Sequence, residues 1–209
     1  MYIPKLFRED DRAAAFDLID NYGFATLVSW PTSGPMVSHL PLILERAESG
    51  GERILGHVAR ANNHWQAFDG ASPALAIFHG PHAYISPAWY ATHPSVPTWN
   101  YAVVHIHGVP KVLDEGATRA IIDQLVEKYE ASRRGRWVPD LPTDFMATNL
   151  RAIVGFELPI ARIEAKFKLG QNRELRDREG ALAGLEAEDD PEGVALAAFA
   201  RSYYRRVGR

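Results

Sequence analysis

No cysteine occurs in the 209 residues. Disulfides, thiolate metal centres and thiol nucleophiles are therefore excluded, and the composition fits a reducing compartment. Long apolar runs are also missing: none approaches the roughly 20 residues that cross a bilayer as a helix. The start, Met1-Tyr2-Ile3-Pro4-Lys5 and then a charged stretch from Arg8 to Arg12, contains no apolar signal-peptide core. The expected location is cytoplasmic, with no membrane partner. Positive charge is not in excess, with 23 Lys and Arg against 26 Asp and Glu. Phosphate neutralisation drives nucleic-acid binding, so a dedicated nucleic-acid binder is not indicated, although a local basic patch is left open. Gly-x-Gly-x-x-Gly, Walker A, Gly-x-Ser-x-Gly and His-Glu-x-x-His are all absent, which argues against a Rossmann enzyme, a nucleotide hydrolase, an α/β-hydrolase and a helical zinc protease.

What remains is an ordinary globular composition, 46% hydrophobic and 23% charged, sufficient for one cored domain. Asp10 or Asp11 caps a helix running to Asn21. Strands are expected at 24–30, 36–44, 53–59, 74–79 and 101–113, with one or two more in 153–169. Pro31 to Pro35 is turn chemistry, and Ala47 to Glu52 a polar loop. A short helix at 61–68 is entered through Asn62 and Asn63. Gly80-Pro81 is expected to turn the chain at a strand end, leaving 81–98 as an ordered aromatic loop. Helices are expected at 115–129, 141–150, 174–185 and 191–207, the last with an apolar stripe of Ala195, Leu196, Phe199, Tyr203 and Tyr204. The alternation Ala161-Ile163-Ala165-Phe167-Leu169 against Arg162-Glu164-Lys166-Lys168 marks a strand with one buried and one polar face. The expected class is mainly β with flanking helices, a closed or split barrel over residues 1–172, followed by a helical tail at 173–209 packed on the barrel or on a dimer partner.

All eight histidines lie between His39 and His107, which points to a polar site built from the first half of the chain. The segment His57-Val58-Ala59-Arg60-Ala61-Asn62-Asn63-His64-Trp65 sits where a strand gives way to a helix. Unpaired N–H groups there, with the Arg60 fork, suit a phosphate. Asn62 as a plain cap and Arg60 as a surface charge account for the same residues. His79, His82, His105 and His107 have no carboxylate or Cys spaced to complete a metal site, and no metal is expected. Lys166, Lys168, Gln171, Asn172 and Arg173 form a second basic group, suited to a phosphate or an acidic substrate, or simply a solvated strand face.

Longer motifs run through these groups: Met1-Tyr2-Ile3-Pro4 with Phe7; His57-x-Ala59-Arg60-Ala61-Asn62 with His64-Trp65; Phe78-x-Gly80-Pro81-x-Ala83-Tyr84-Ile85-Ser86-Pro87 with Trp89-Tyr90; Val96-Pro97-Thr98-Trp99-Asn100-Tyr101 with Val104-His105 and Gly108; and Lys166-x-Lys168-Leu169-x-Gln171-Asn172-Arg173. They resemble the PaiB-type FMN-binding negative transcriptional regulators across nearly the whole chain. Asn63 stands where that pattern has Pro, and Gly170 where it has Ser. The resemblance implies a split β-barrel like that of pyridoxamine-phosphate oxidases, a homodimer, and FMN in a groove between subunits. It implies that Arg60 and His64 hold the FMN phosphate, with His57 and Asn62 in the same segment. Met36, Ser38 and His39 would face the isoalloxazine ring, Trp99 and Asn100 would approach from the partner subunit, and Lys168, Gln171 and Arg173 would close the groove. No catalytic residue is assigned. The function implied is a flavin-binding regulator with DNA as a partner. The alternatives are an FMN-dependent oxidoreductase of a small molecule, a haem protein ligated by His39, His79, His82, His105 or His107, and a flavinless structural dimer.

Overall fold

The computed structural model describes residues 1–32, 34–46 and 51–208. Ser33 of the expected turn and the first four residues of the expected polar loop lie outside the described residues. The strands are β1 (Arg8–Glu9), β2 (Phe24–Ser29), β3 (Met36–Pro41), β4 (Ile43–Arg46), β5 (Glu52–Ala59), β6 (Ala74–Ile85), β7 (Thr98–Gly108), β8 (Lys111–Val112), β9 (Ile153–Pro159) and β10 (Arg162–Lys168). The helices are α1 (Arg12–Asn21), α2 (Glu115–Glu130), α3 (Thr143–Arg151), α4 (Leu175–Ala187) and α5 (Pro191–Arg206). Among the described residues no helix is long and apolar enough to cross a membrane. The mainly β class with flanking helices is the class expected from the sequence.

The chain divides into two compact units. The first comprises Met1–Leu18, His79–Val104 and Glu164–Arg209; the second comprises Ile19–Phe78 and His105–Ile163. In the second, β2 and β3 form an antiparallel hairpin with Thr26 opposite His39 and Leu27 opposite Ser38. The first half of β6 pairs with β2, Phe78 lying opposite Ala25. A separate sheet has the order β4-β5-β9-β8. Helix α2 starts at Asp114, whose carboxylate accepts from the Ala117 N–H at 2.8 Å. Its Ile121 and Leu125 pack on Ile43 and Leu55, each such side chain contributing about 1.5–3 kcal/mol by leaving water. In the first unit β1 pairs with β10, Arg8 opposite Lys166, in the order β1-β10-β7-β6. The α5 stripe lies on this sheet, with the Phe199 and Tyr203 rings edge-on to Phe167 at 5.2 and 6.1 Å.

Several local expectations are corrected. The strand expected at 36–44 breaks at Leu42, which is fully buried and donates its N–H to Gly23 at 2.8 Å. Pro41 cannot donate to a ladder, so the chain leaves β2 there and joins β5 as β4. Gly80-Pro81 does not turn: β6 runs on to Ile85. Gly80 serves close packing, since a Cβ on it would meet Leu18 Cδ1 at 2.9 Å and the Ala102 carbonyl at 3.2 Å. Lys166, placed on the solvated face, is only 8% exposed. Its ammonium lies over the Tyr2 and Tyr101 rings at 5.6 and 5.2 Å and donates to the Tyr2 carbonyl.

Candidate functional site

The second unit gathers the segment after β5 against the β2–β3 hairpin through a chain of polar contacts. Asn62 ends the extended run, and its Oδ1 accepts from the His64 N–H at 3.1 Å. That bond starts a short 3₁₀ helix, Asn63–Ala67, within the short helix expected at 61–68. The turn drives the His64 ring inward, where it is 1% exposed and lies 5.2 Å from the Phe68 ring. His64 Nε2 is 2.8 Å from the Ser29 hydroxyl, and Nδ1 is 2.8 Å from the Ser38 hydroxyl. Ser38 also accepts from the Asn62 amide at 3.0 Å. Because both partners of the ring are hydroxyls, either neutral tautomer is satisfied.

Ser29 was not legible as a site residue. Its only signal is its parity in β2, which puts it on the buried side with Ala25 and Leu27, where a hydroxyl requires a partner. Met36 and Ser38 share one side of β3, whereas Val37 and His39 point to the other. Met36, Ser38 and His39 therefore do not present one common face. His39 is exposed, with Nδ1 3.1 Å from the Thr26 hydroxyl. His57 is half-buried on β5 and its Nδ1 has no hydrogen-bond partner.

Arg60 follows β5 and is exposed. Its Nε donates to the Arg151 carbonyl at 2.7 Å and its Nη2 to the Ile153 carbonyl at 3.0 Å. The guanidinium thus caps the C-terminal end of α3, where a cation is favoured. The Trp65 indole N–H donates back to the Arg60 carbonyl at 3.0 Å. Together with Arg151, Glu115 and Thr118 these residues line a recess of about 120 Å³.

Burial lowers the imidazole pKa of His64 below its ordinary 6.5, and does the same for His57. As the pH falls below about 6.5, the unfolded chain takes up protons that the folded rings refuse. The stability contributed by the neutral rings is therefore complete above that value and is lost as the pH drops through it toward the folded values. Urea unfolding is expected to give a falling stability between about pH 7 and 5, and a flat profile there would contradict a neutral buried His64.

In the first unit the basic group is held largely by backbone. Lys168 donates to the Thr98 hydroxyl and to the Trp99 carbonyl, and burial, together with Lys166, lowers its pKa. The Gln171 side chain is committed to the turn after β10, accepting from the Leu169 N–H and donating to the Phe167 carbonyl. Gly170 has φ of +92°, a conformation that the Ser of the family pattern adopts only with strain. Arg173 stacks over the Tyr90 ring at 4.2 Å, donates to the Ser95 hydroxyl and faces Asp177 at 3.9 Å. Asp177, which sequence reasoning missed, accepts the Ala91 and Thr92 N–H groups, both at 2.9 Å. Asn100 is buried, whereas Trp99 is 54% exposed. The expected cofactor residues thus form two groups: Ser38, Asn62 and His64, with Arg60 alongside, in the second unit, and Trp99, Lys168 and Arg173 in the first.

Comparison with known proteins shows the family. The family described as "Putative FMN-binding domain" matches residues 1–162. The "Protease synthase and sporulation protein PAI 2" of Bacillus subtilis is 33% identical over 198 residues, covering 94% of this chain and 95% of that protein. Among solved structures, the FAD and haem binding protein of Mycobacterium smegmatis aligns with a TM-score of 0.61 at 16% identity, covering 83% of this chain and 79% of that one. The flavocytochrome Anf3 of Azotobacter vinelandii aligns at 0.63 with 15% identity, covering 85% and 78%. At such identities these two show a shared fold alone. A family match that begins at the first residue and runs through β9, joined to one-third identity along almost the whole Bacillus protein, makes this chain a member of the PaiB-type FMN-binding family.

Proposed function

We propose that this chain is an FMN-dependent negative transcriptional regulator of the PaiB type that works as a homodimer and holds the FMN phosphate at Arg60. The observation that carries the reading is the Arg60 recess. Two of the five guanidinium N–H donors are spent on carbonyls, which orients the group while others stay available for an anion. Arg151 adds a second positive charge to the wall, against the single carboxylate of Glu115. A recess of about 120 Å³ falls short of the roughly 300–1,000 Å³ of whole-ligand pockets. It suits a phosphate group whose attached ring lies outside.

In this reading His64 does not touch the phosphate. It is a positioning residue that locks Ser38 and Asn62. FMN, when bound, supplies the electron-transfer chemistry, and the protein supplies orientation and electrostatics. Trp99 and Asn100 of the partner subunit approach the ring, as the family resemblance implies. Homodimerisation is supported by the exposed apolar side of the second unit's hairpin, where Phe24 is 67% and Val37 55% exposed. The regulatory role is supported by the family resemblance alone.

The test is retention of flavin absorbance after FMN is added and the excess removed, followed by promoter-DNA shifts with oxidised and reduced protein. The wild type is expected to retain FMN, and Arg60→Ala to weaken retention about 10- to 100-fold by loss of a charge-assisted contact. Unchanged affinity in Arg60→Ala would move the phosphate elsewhere. Retention without any DNA shift in either redox state would remove the regulatory role and leave a flavin-dependent enzyme.

A further inference from the structure

The first unit contains a second concavity, of which the flavin reading uses Trp99 alone. It lies among the end of β6, the start of β7 and the turn joining α4 to α5, and its volume is about 510 Å³, within the range of small-molecule sites. Its walls are aromatic. The Tyr84 and Trp99 rings meet edge to face at 6.2 Å, and the His82 ring lies 6.3 Å from Trp99. Trp89 completes the set and is seated by α4 itself. A Cβ on Gly184 would fall 2.3 Å from Trp89 Cδ2, and one on Gly180 2.2 Å from the Trp89 carbonyl oxygen. Glycine is a poor helix former, so two of them on one face of α4 tie that helix to the position of this indole.

The rim carries one sign of charge. Glu188, Asp190 and Glu192 line the cavity, and among the described residues no Lys or Arg does. Asp190 caps α5 through the Gly193 N–H, and Glu192 stands 3.7 Å from His82 Nδ1. The Glu188 carboxylate has no ion pair among the described residues. Aromatic faces attract weakly hydrated cations through their quadrupole, and nearby carboxylates add to the attraction. A hard cation such as Ca²⁺ or Mg²⁺ requires oxygen ligands on several sides, which aromatic walls do not provide. The same rim repels a phosphate dianion.

We propose that this cavity binds an organic cation carrying a methylated ammonium group, seated among the aromatic rings with the Glu188 and Glu192 carboxylates at its edge. The proposal stands independently of the Arg60 recess. It shares Trp99 with the proposed flavin contacts, so Trp99 is left intact in the test.

The test is a titration of the full-length protein with choline, followed by the indole N–H resonances of its tryptophans, with 3,3-dimethyl-1-butanol as the uncharged isostere. Choline is expected to shift two indole signals saturably, and the isostere to bind at least about 10-fold more weakly. Glu188→Gln combined with Glu192→Gln, both exposed positions, is expected to weaken choline about 5- to 10-fold without altering the melting temperature. Trp89→Phe tests the wall while keeping a ring in place, and a weaker choline response is expected. Equal binding of the isostere, an unaltered affinity in the double variant, or no saturation up to about 50 mM choline would each overturn the proposal. Displacement of choline by FMN would assign the cavity to the cofactor and overturn it as well.

Discussion

Replacing His64 with alanine is expected to destabilise the protein by about 2–4 kcal/mol and to weaken FMN retention with it. The ring is 1% exposed, so its removal leaves a cavity beside Phe68. It also strips Ser29, which is fully buried, of the ring nitrogen at 2.8 Å. A buried hydroxyl with no partner costs about 1–3 kcal/mol. Ser38 keeps the Asn62 amide, so the damage is concentrated on the β2 side. Urea unfolding of His64→Ala, Ser29→Ala and the double variant measures this directly. The two single losses are expected to exceed the double loss when summed, because Ser29→Ala removes the hydroxyl that His64→Ala would orphan. Strict additivity would show that the two groups do not depend on each other. His64→Gln, which retains a donor and an acceptor, is expected to recover part of the stability. If it restores stability but not FMN retention, the imidazole acts on the cofactor through the orientation of Ser38 and Asn62.

Gly155→Ala is expected to cost about 2–3 kcal/mol, although it adds a single methyl group. A Cβ on Gly155 would lie 2.3 Å from Thr118 Oγ1, 2.9 Å from Thr118 Cβ and 3.0 Å from Thr118 Cα. Thr118 cannot rotate away freely, because its hydroxyl donates to the Asp114 carbonyl at 2.7 Å in the first turn of α2. The clash therefore moves helix against strand. It also reaches the proposed phosphate site, since β9 begins with Ile153, whose carbonyl holds Arg60. Thermal unfolding should show the stability loss, and FMN titration a parallel loss of affinity. Adding Thr118→Ala removes the nearest of the three contacts and is expected to recover part of both. A neutral Gly155→Ala would mean that α2 is free to shift off β9.

The sequence by itself determined the family and the class of the fold. The helices expected at 115–129 and 191–207 were readable because the signals at a helix start are short-range, and in the structure the Asp114 and Asp190 carboxylates accept N–H groups three residues on. Period-2 alternation likewise marked Ala165 and Phe167 as the buried side of β10. What only the tertiary structure decided is where polar groups find partners. Ser29 and His64 are 35 positions apart, and Arg60 reaches carbonyls more than 90 positions away. No local pattern records such pairs. Gly80-Pro81 reads as a turn from its own chemistry, yet β6 passes straight through to Ile85, paired with β7. Lys166 reads as solvated from its alternation, yet two tyrosine rings from distant positions cover it. Local propensity and periodicity are written within a few residues. Burial and hydrogen-bond partnership depend on which distant segments pack together, and they make His64, expected at the phosphate, a buried link between two serines.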